Sequence, residues 1–167
     1  SRFGTRLTRE ELEDAFLSSG IYGSPREKAN VAASVAVPRS MDEQKLEILG
    51  ESEVRTTPRH LLNAYRQLAL HRRSGKADAA LEVVFAGLEG AAQYGTARLA
   101  ATPAISVAGK TGTAHADEGP WTHGWFVGYA PADNPKVAIV VYLERGHGSE
   151  AAEIAGHVLA EVQGASK

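Results

Sequence analysis

Trp125-Phe126-Val127-Gly128-Tyr129-Ala130-Pro131-Ala132-Asp133-Asn134-Pro135-Lys136-Val137-Ala138-Ile139-Val140-Val141-Tyr142-Leu143 is the stretch whose reading decides the architecture. Two short runs of β-branched and aromatic residues flank a turn-forming link, and side chains of that kind suit pleated strands. The link Ala130–Pro135 carries two prolines, an aspartate and an asparagine, which favours an antiparallel hairpin. A third run, Ile105-Ser106-Val107-Ala108, precedes them, so three strands are predicted. Because alternate side chains on a strand point to opposite faces, Trp125 and Tyr129 share one face while Phe126 and Gly128 share the other. Most of this aromatic group is expected in the core, with Trp121 left as a rim residue.

Helical patterns surround the strands. Thr8-Arg9-Glu10-Glu11 is a capping box, and Leu12, Ala15 and Phe16 follow at helical spacing, which predicts a short helix over about 8–19. The stretch from Gly20 to Gly50 reads as irregular, with one extended apolar piece at Val31–Val37. Thr57 fits an N-cap and Pro58 the first helical position, and Leu61, Leu62, Tyr65, Leu68 and Ala69 form a stripe over about 58–72. Asp78 caps a third helix, with Leu81, Val84, Phe85, Leu88 and Ala92 on one face, ending near Tyr94-Gly95. Ser149 caps a closing helix whose apolar residues are Ile154, Val158, Leu159 and Val162. The expected fold is α+β: an antiparallel sheet covered by helices, with 1–50 as an irregular and helical lead-in to 51–167.

Composition narrows the partners. Of 167 residues, 18 are Lys or Arg and 20 are Asp or Glu, a net charge of −2 without a block of one sign, so nucleic acid is not expected as a partner. The longest apolar run, Val137–Leu143, is too short to span a bilayer, and no membrane contact by this segment is expected. With no cysteine, disulfides and thiolate chemistry are excluded. His71-Arg72-Arg73 suits the C-terminal end of a helix dipole. His115, Asp117 and His123 lack the spacing of a metal site, and no metal is expected.

The stretch that carries chemistry is Val107-Ala108-Gly109-Lys110-Thr111-Gly112-Thr113-Ala114. Lys110 offers a fixed positive charge, Thr111 and Thr113 offer hydroxyls that orient a carboxylate, and Gly112 lets a ligand backbone lie close. Together they suit an anionic, peptide-like ligand added as an extra strand. Taken alone, the tetrapeptide is equally well an ordinary exposed strand end and turn. A phosphate loop fails because Ala104 stands where the leading glycine is required and no amphipathic helix follows Thr111.

Lys110-Thr111-Gly112-Thr113 is followed by Trp121-Thr-His-Gly-Trp-Phe-Val-Gly-Tyr-Ala-Pro131 and Asn134-Pro-Lys-Val-Ala-Ile-Val-Val-Tyr-Leu-Glu144. It is preceded by Arg55-Thr-Thr-Pro-Arg-His-Leu-Leu-Asn-Ala-Tyr65 and Tyr94-Gly-Thr-Ala97. In order and spacing these segments resemble the C-terminal half of a penicillin-binding protein transpeptidase domain, within the superfamily that also holds the serine β-lactamases. The resemblance implies that fold. It also implies a parent enzyme, a serine D,D-transpeptidase or carboxypeptidase that attacks D-alanyl-D-alanine stem peptides and is acylated by β-lactams. Lys110 and Thr111 would hold and polarise the ligand, Gly112 would line it, Thr113 would face its carboxylate, and the backbone just after Thr113 would supply an oxyanion-hole amide. Ala114, Trp121 and His123 would form the rim, and the motif would lie on an inner strand. The implied partners are a peptidoglycan stem peptide or a β-lactam and the missing N-terminal half of the domain, with no cofactor. The implied location is outside the cytoplasmic membrane, with the parent anchored upstream.

Serine-x-x-lysine and serine-x-asparagine are both absent from the 167 residues, so no catalytic nucleophile or general base is assigned here and the chain alone is expected to be inactive. Family order places both motifs upstream, which makes a chain that starts after them the simplest expectation. A degenerate transpeptidase-like scaffold and a β-lactamase-like hydrolase remain the alternatives.

Overall fold

The computed structural model describes positions 8, 11, 14, 15, 18, 19, 40 and 42 and the continuous stretch 56–164. The chain divides into two compact units, Ser1–Ala64 and Tyr65–Lys167. In the first unit the capping box forms: the Thr8 amide donates to Glu11 Oε2 at 2.7 Å and the Glu11 amide to Thr8 Oγ1 at 3.2 Å. Glu11, Asp14, Ala15 and Ser18 are helical. The extended piece expected at Val31–Val37 lies outside the described residues.

Helix α1, Pro58–Ser74, starts where Thr57 Oγ1 accepts from the His60 amide at 3.3 Å. Helix α2, Ala79–Gln93, is capped by Asp78, whose carboxylate accepts from the Leu81 amide at 2.8 Å. A 3-10 turn, Arg98–Ala100, leads to β1 (Ala108–His115), β2 (Thr122–Ala130), β3 (Val137–Leu143) and helix α3 (Gly148–Gly164). The strands form one antiparallel sheet in the order β1-β2-β3.

The register sorts the core. Thr111 pairs with Phe126 and Phe126 with Val141, while Ala108 pairs with Tyr129 and Tyr129 with Ala138. Phe126, Ile139, Val141 and Leu143 therefore face α3, where they pack with Ala151, Ala152, Ala155 and Leu159. Tyr129, Ala108 and Ala138 face the other way, onto Tyr65, Leu68 and Ala69 of α1 and Phe85 and Leu88 of α2. Phe85, Phe126, Tyr129 and Leu159 are fully buried, each stabilising the fold by roughly 1.5–3 kcal/mol of apolar transfer.

Four sequence expectations change. The third strand is Ala108–His115 rather than Ile105–Ala108: pairing with β2 pulls the glycine-containing segment into the sheet despite its low strand propensity. Gly109 serves that pairing, since a Cβ there would lie 2.7 Å from Phe126 Cζ. Val84 is 43% exposed, and the inner face of α2 is instead Phe85, Leu88, Gly90 and Ala92. Ser149 lies inside the first turn of α3, and the Glu150 carboxylate accepts from the His147 amide at 2.6 Å. Finally, β1 stands at a sheet edge among the described residues, not inside the sheet.

Arg72 ties this unit together. Its guanidinium meets Glu82 at 3.3 Å and Glu89 at 2.9 Å, donates to the Ala132 carbonyl at 3.4 Å and lies 5.3 Å from the centre of the Phe85 ring. The charge reads as a helix-end cation in sequence, but it bridges α1, α2 and the β2–β3 link. Arg72→Ala is expected to cost about 1–2 kcal/mol, allowing for its partly exposed acids, and Arg72→Lys to recover only part because an ammonium lacks the fork. Urea denaturation measures both.

The Tyr129 hydroxyl is buried without a hydrogen-bond partner among the described residues. Burial pushes its pKa up to about 12, aided by Glu89, and burial likewise pushes Tyr65 up to about 12. Above pH 10 an unfolded tyrosine loses its proton first, so the unfolded chain binds fewer protons and stability falls from about pH 10 to about pH 12. Tyr129→Phe is expected to flatten that decline and to be neutral or stabilising at pH 7, since it removes an unsatisfied hydroxyl. Denaturation midpoints at pH 7, 9 and 11 give the comparison.

Candidate functional site

Strand β1 presents its polar residues on two faces. Lys110, Gly112 and Ala114 share the face of Trp125 and His123, while Thr111 and Thr113 share the face covered by α3. Lys110 is exposed, and its ammonium donates to the Thr111 carbonyl at 2.7 Å. Among the described residues its two other protons have no partner and β1 has a strand neighbour on one side only, so the charge is available at that edge. Among the described residues a Cβ on Gly112 would meet only Trp125 Cβ, at 3.5 Å.

The two threonines differ. Thr111 is buried, and its Oγ1 lies 2.6 Å from Thr96 Oγ1. That hydroxyl fastens the loop after α2 to the sheet. Thr113 is exposed, and its Oγ1 accepts from the Gly148 amide at 3.0 Å. Since a hydroxyl has one proton, Thr113 keeps its O–H to donate outward. Alternation along the strand puts both hydroxyls on one face and does not say which of them is buried.

The rim residues separate. Ala114 pairs with His123. The His123 Nδ1 lies 2.7 Å from the Glu144 carbonyl and 3.1 Å from the Tyr142 hydroxyl. A carbonyl only accepts, so Nδ1 carries a proton and, in the neutral ring, Nε2 is an acceptor with no partner among the described residues. The Trp121 ring lies against Gly119 of its own loop, and the Arg145 guanidinium, from the β3–α3 link, is 4.4 Å from the ring centre. Trp125 packs against Tyr142 with the rings tilted by 46° and centroids 4.4 Å apart.

His115 and His123 pair with Thr122 and Ala114 respectively, which sends their rings to opposite faces and prevents convergence on one ion. Among the described residues there is no group of three acidic, histidine or cysteine side chains able to hold a metal. A cavity of about 320 Å³ opens beside Ala92, Thr102, Ile105 and Val107, and Lys110–Thr113 do not line it. We place the candidate site on the β1 edge because that is where the chemistry is. No described helix is long and apolar enough to cross a membrane.

Comparison with known proteins reaches the same segments. The family model described as "Penicillin binding protein transpeptidase domain" matches residues 23–162, most of the chain. The chain belongs to the penicillin-binding protein transpeptidase family. Among curated members it is 44% identical over 78 residues to the peptidoglycan D,D-transpeptidase MrdA of Acinetobacter baumannii, a match over 38% of this chain and 12% of that protein. The transpeptidase domain of the FtsI4 D,D-transpeptidase from Legionella pneumophila superposes with a TM-score of 0.64 at 26% identity, covering 80% of this chain and 56% of that one. Penicillin-binding protein A of Mycobacterium tuberculosis, solved as an imipenem acyl-enzyme complex, gives a TM-score of 0.79 over 97% of this chain and 44% of its own. At 21% identity that likeness shows the shared fold. This transpeptidase-family chain thus spans less than two thirds of each of these relatives.

Two neighbours of these residues carry no local signal of their part. Thr96 sits in Tyr94-Gly-Thr-Ala97, and nothing near it in sequence marks Thr111 as its partner. Gly148 precedes Ser149, whose hydroxyl is the better cap former by residue type, and its contact with Thr113 lies 35 residues away.

The Thr96–Thr111 pair gives a direct check. Each single valine substitution is expected to cost about 1 kcal/mol, and the double substitution less than the sum, because the second change strands no further hydroxyl. Equal and additive costs in a denaturation cycle would contradict the pairing.

Proposed function

We propose that this chain forms the Lys110–Thr113 wall of a penicillin-binding D,D-transpeptidase acting on D-alanyl-D-alanine stem peptides in peptidoglycan synthesis, outside the cytoplasmic membrane. The observation that supports it best is that β1, among the described residues, is an edge strand, flanked by the Lys110 ammonium on one face and the Thr113 hydroxyl on the other. A peptide laid along that edge gains main-chain hydrogen bonds and is bracketed by a cation and a hydroxyl donor.

In this reading a serine supplied from outside the 167 residues attacks the carbonyl of the penultimate D-alanine. The terminal D-alanine leaves, and an amine takes the acyl group. Lys110 stabilises negative charge developing at the reacting centre, the β1 backbone beyond Thr113 gives an amide to the oxyanion, and the Thr113 hydroxyl donates to the ligand carboxylate. A β-lactam has the same carboxylate and acylates the same serine. The motif identity of Lys110–Thr113 and the family match over 23–162 support these roles together.

Labelling with a fluorescent penicillin, followed by intact mass, tests the reading on the longest product of the gene. The expected result is one covalent label on that product, none on the isolated 167 residues, and a drop of about 100-fold or more in acylation rate for Lys110→Ala, in line with loss of a transition-state charge partner. No label on the long product, or a normal rate for Lys110→Ala in a folded protein, would sink it. Fast turnover of a chromogenic β-lactam would redirect the assignment to a hydrolase.

A further inference from the structure

We infer that the first turn of α3 acts on ligand choice through Thr113, with Gly148 as the positioning residue. The inference rests on the reading of Thr113 as the group facing the ligand carboxylate. A threonine hydroxyl has two lone pairs and one proton and turns freely about its C–O bond. The Gly148 amide, 3.0 Å away, engages a lone pair of Thr113 Oγ1. That leaves the proton pointing away from α3, toward the exposed side of the strand. The donor is one of the backbone N–H groups a helix leaves unsatisfied at its start. A hydroxyl that accepts such a bond is polarised into a better donor.

Only glycine brings that amide so close. A Cβ at position 148 would lie 2.7 Å from the Gly112 carbonyl oxygen, 2.9 Å from Thr111 Cβ and 3.1 Å from the Gly112 nitrogen. Two of these are backbone atoms of a paired strand and cannot swing aside. The turn itself is tied down from both ends. The Gly146 amide donates to the Thr122 carbonyl at 2.9 Å, and Thr122 Oγ1 donates to the Gly146 carbonyl at 2.9 Å. Glu150 Oε2 accepts from the His147 amide at 2.6 Å. A Cβ on Gly124 would lie 2.5 Å from the His147 carbonyl oxygen, so that strand position also has to be bare for the turn to dock. Two bare positions and four hydrogen bonds thus converge on the orientation of one hydroxyl.

The consequence is selectivity for a free carboxylate. A fixed donor holds an anionic oxygen strongly and an ester oxygen weakly, because hydrogen bonds to charged partners are the stronger class. Gly148 touches no ligand in this account; it acts through Thr113.

The test compares acylation rate constants of the full-length protein with benzylpenicillin and with its methyl ester, for the unsubstituted protein, Gly148→Ala, Thr113→Val and the double variant. Gly148→Ala is expected to slow the free acid about tenfold and the ester less than about twofold, a selectivity that a displaced strand does not produce. Thr113→Val is expected to do the same, and adding Gly148→Ala to it to change nothing more, since the mediator is already gone. Equal slowing of both ligands by Gly148→Ala, or full additivity in the double variant while Thr113→Val alone remains selective, overturns the role of α3 and leaves the site reading standing. An unselective Thr113→Val overturns the reading beneath it. Should Gly148→Ala fail to fold, Glu150→Ala loosens the same turn from the surface. It is expected to slow the acid about threefold with the ester unchanged, and no change in either rejects the inference.

Discussion

The pairing of Thr111 with Phe126 is the constraint on which the rest of this structure depends. A strand has a side-chain period of two, so one register assigns every residue of the hairpin to a face, and a slip of one residue would reverse them all. In the observed register Phe126 enters the α3 side of the core and Tyr129 the α1–α2 side, both fully buried. Lys110 is then obliged to leave the core, and Thr113 to meet the start of α3. The exposed polar chemistry of β1 is the other half of a packing solution, held in place by apolar burial that no single polar contact could replace.

Glycine makes that register possible. Gly109 admits the Phe126 ring, Gly124 the His147 carbonyl and Gly148 the β1 backbone. Each lowers intrinsic strand or helix propensity, and each is occupied by a neighbour that a methyl group would displace. The candidate site is built where main chains approach closely, which explains how a short, partly exposed strand carries defined geometry.

Much of this was legible in the residues. The capping box at Thr8–Glu11, the Thr57 and Asp78 caps and the Val137–Leu143 strand follow from local chemistry, and each forms as read. The family resemblance was carried by segments the family model also spans. What sequence could not give was every feature decided by a distant partner. The strand moved from Ile105–Ala108 onto Ala108–His115 because β2 pairs there. Arg72 became a tie between elements because Glu82, Glu89 and the Ala132 carbonyl converge on it. Thr111 and Thr113 parted because Thr96 and Gly148 lie above them. Local patterns name elements and candidate groups, whereas the state of each hydroxyl is set by contacts 15 and 35 residues away in sequence.

The central claim, that the β1 edge at Lys110–Thr113 is the wall against which a carboxylate-bearing acyl ligand lies, is tested most directly by a crystal structure of the full-length protein acylated by benzylpenicillin. The account predicts the ligand amide side chain running along the β1 edge and its carboxylate about 2.7–3.0 Å from Thr113 Oγ1, with the Gly148 amide still on the other side of that oxygen. An acyl group bound with its carboxylate turned away from β1, or an adduct on a surface remote from Lys110, would contradict it.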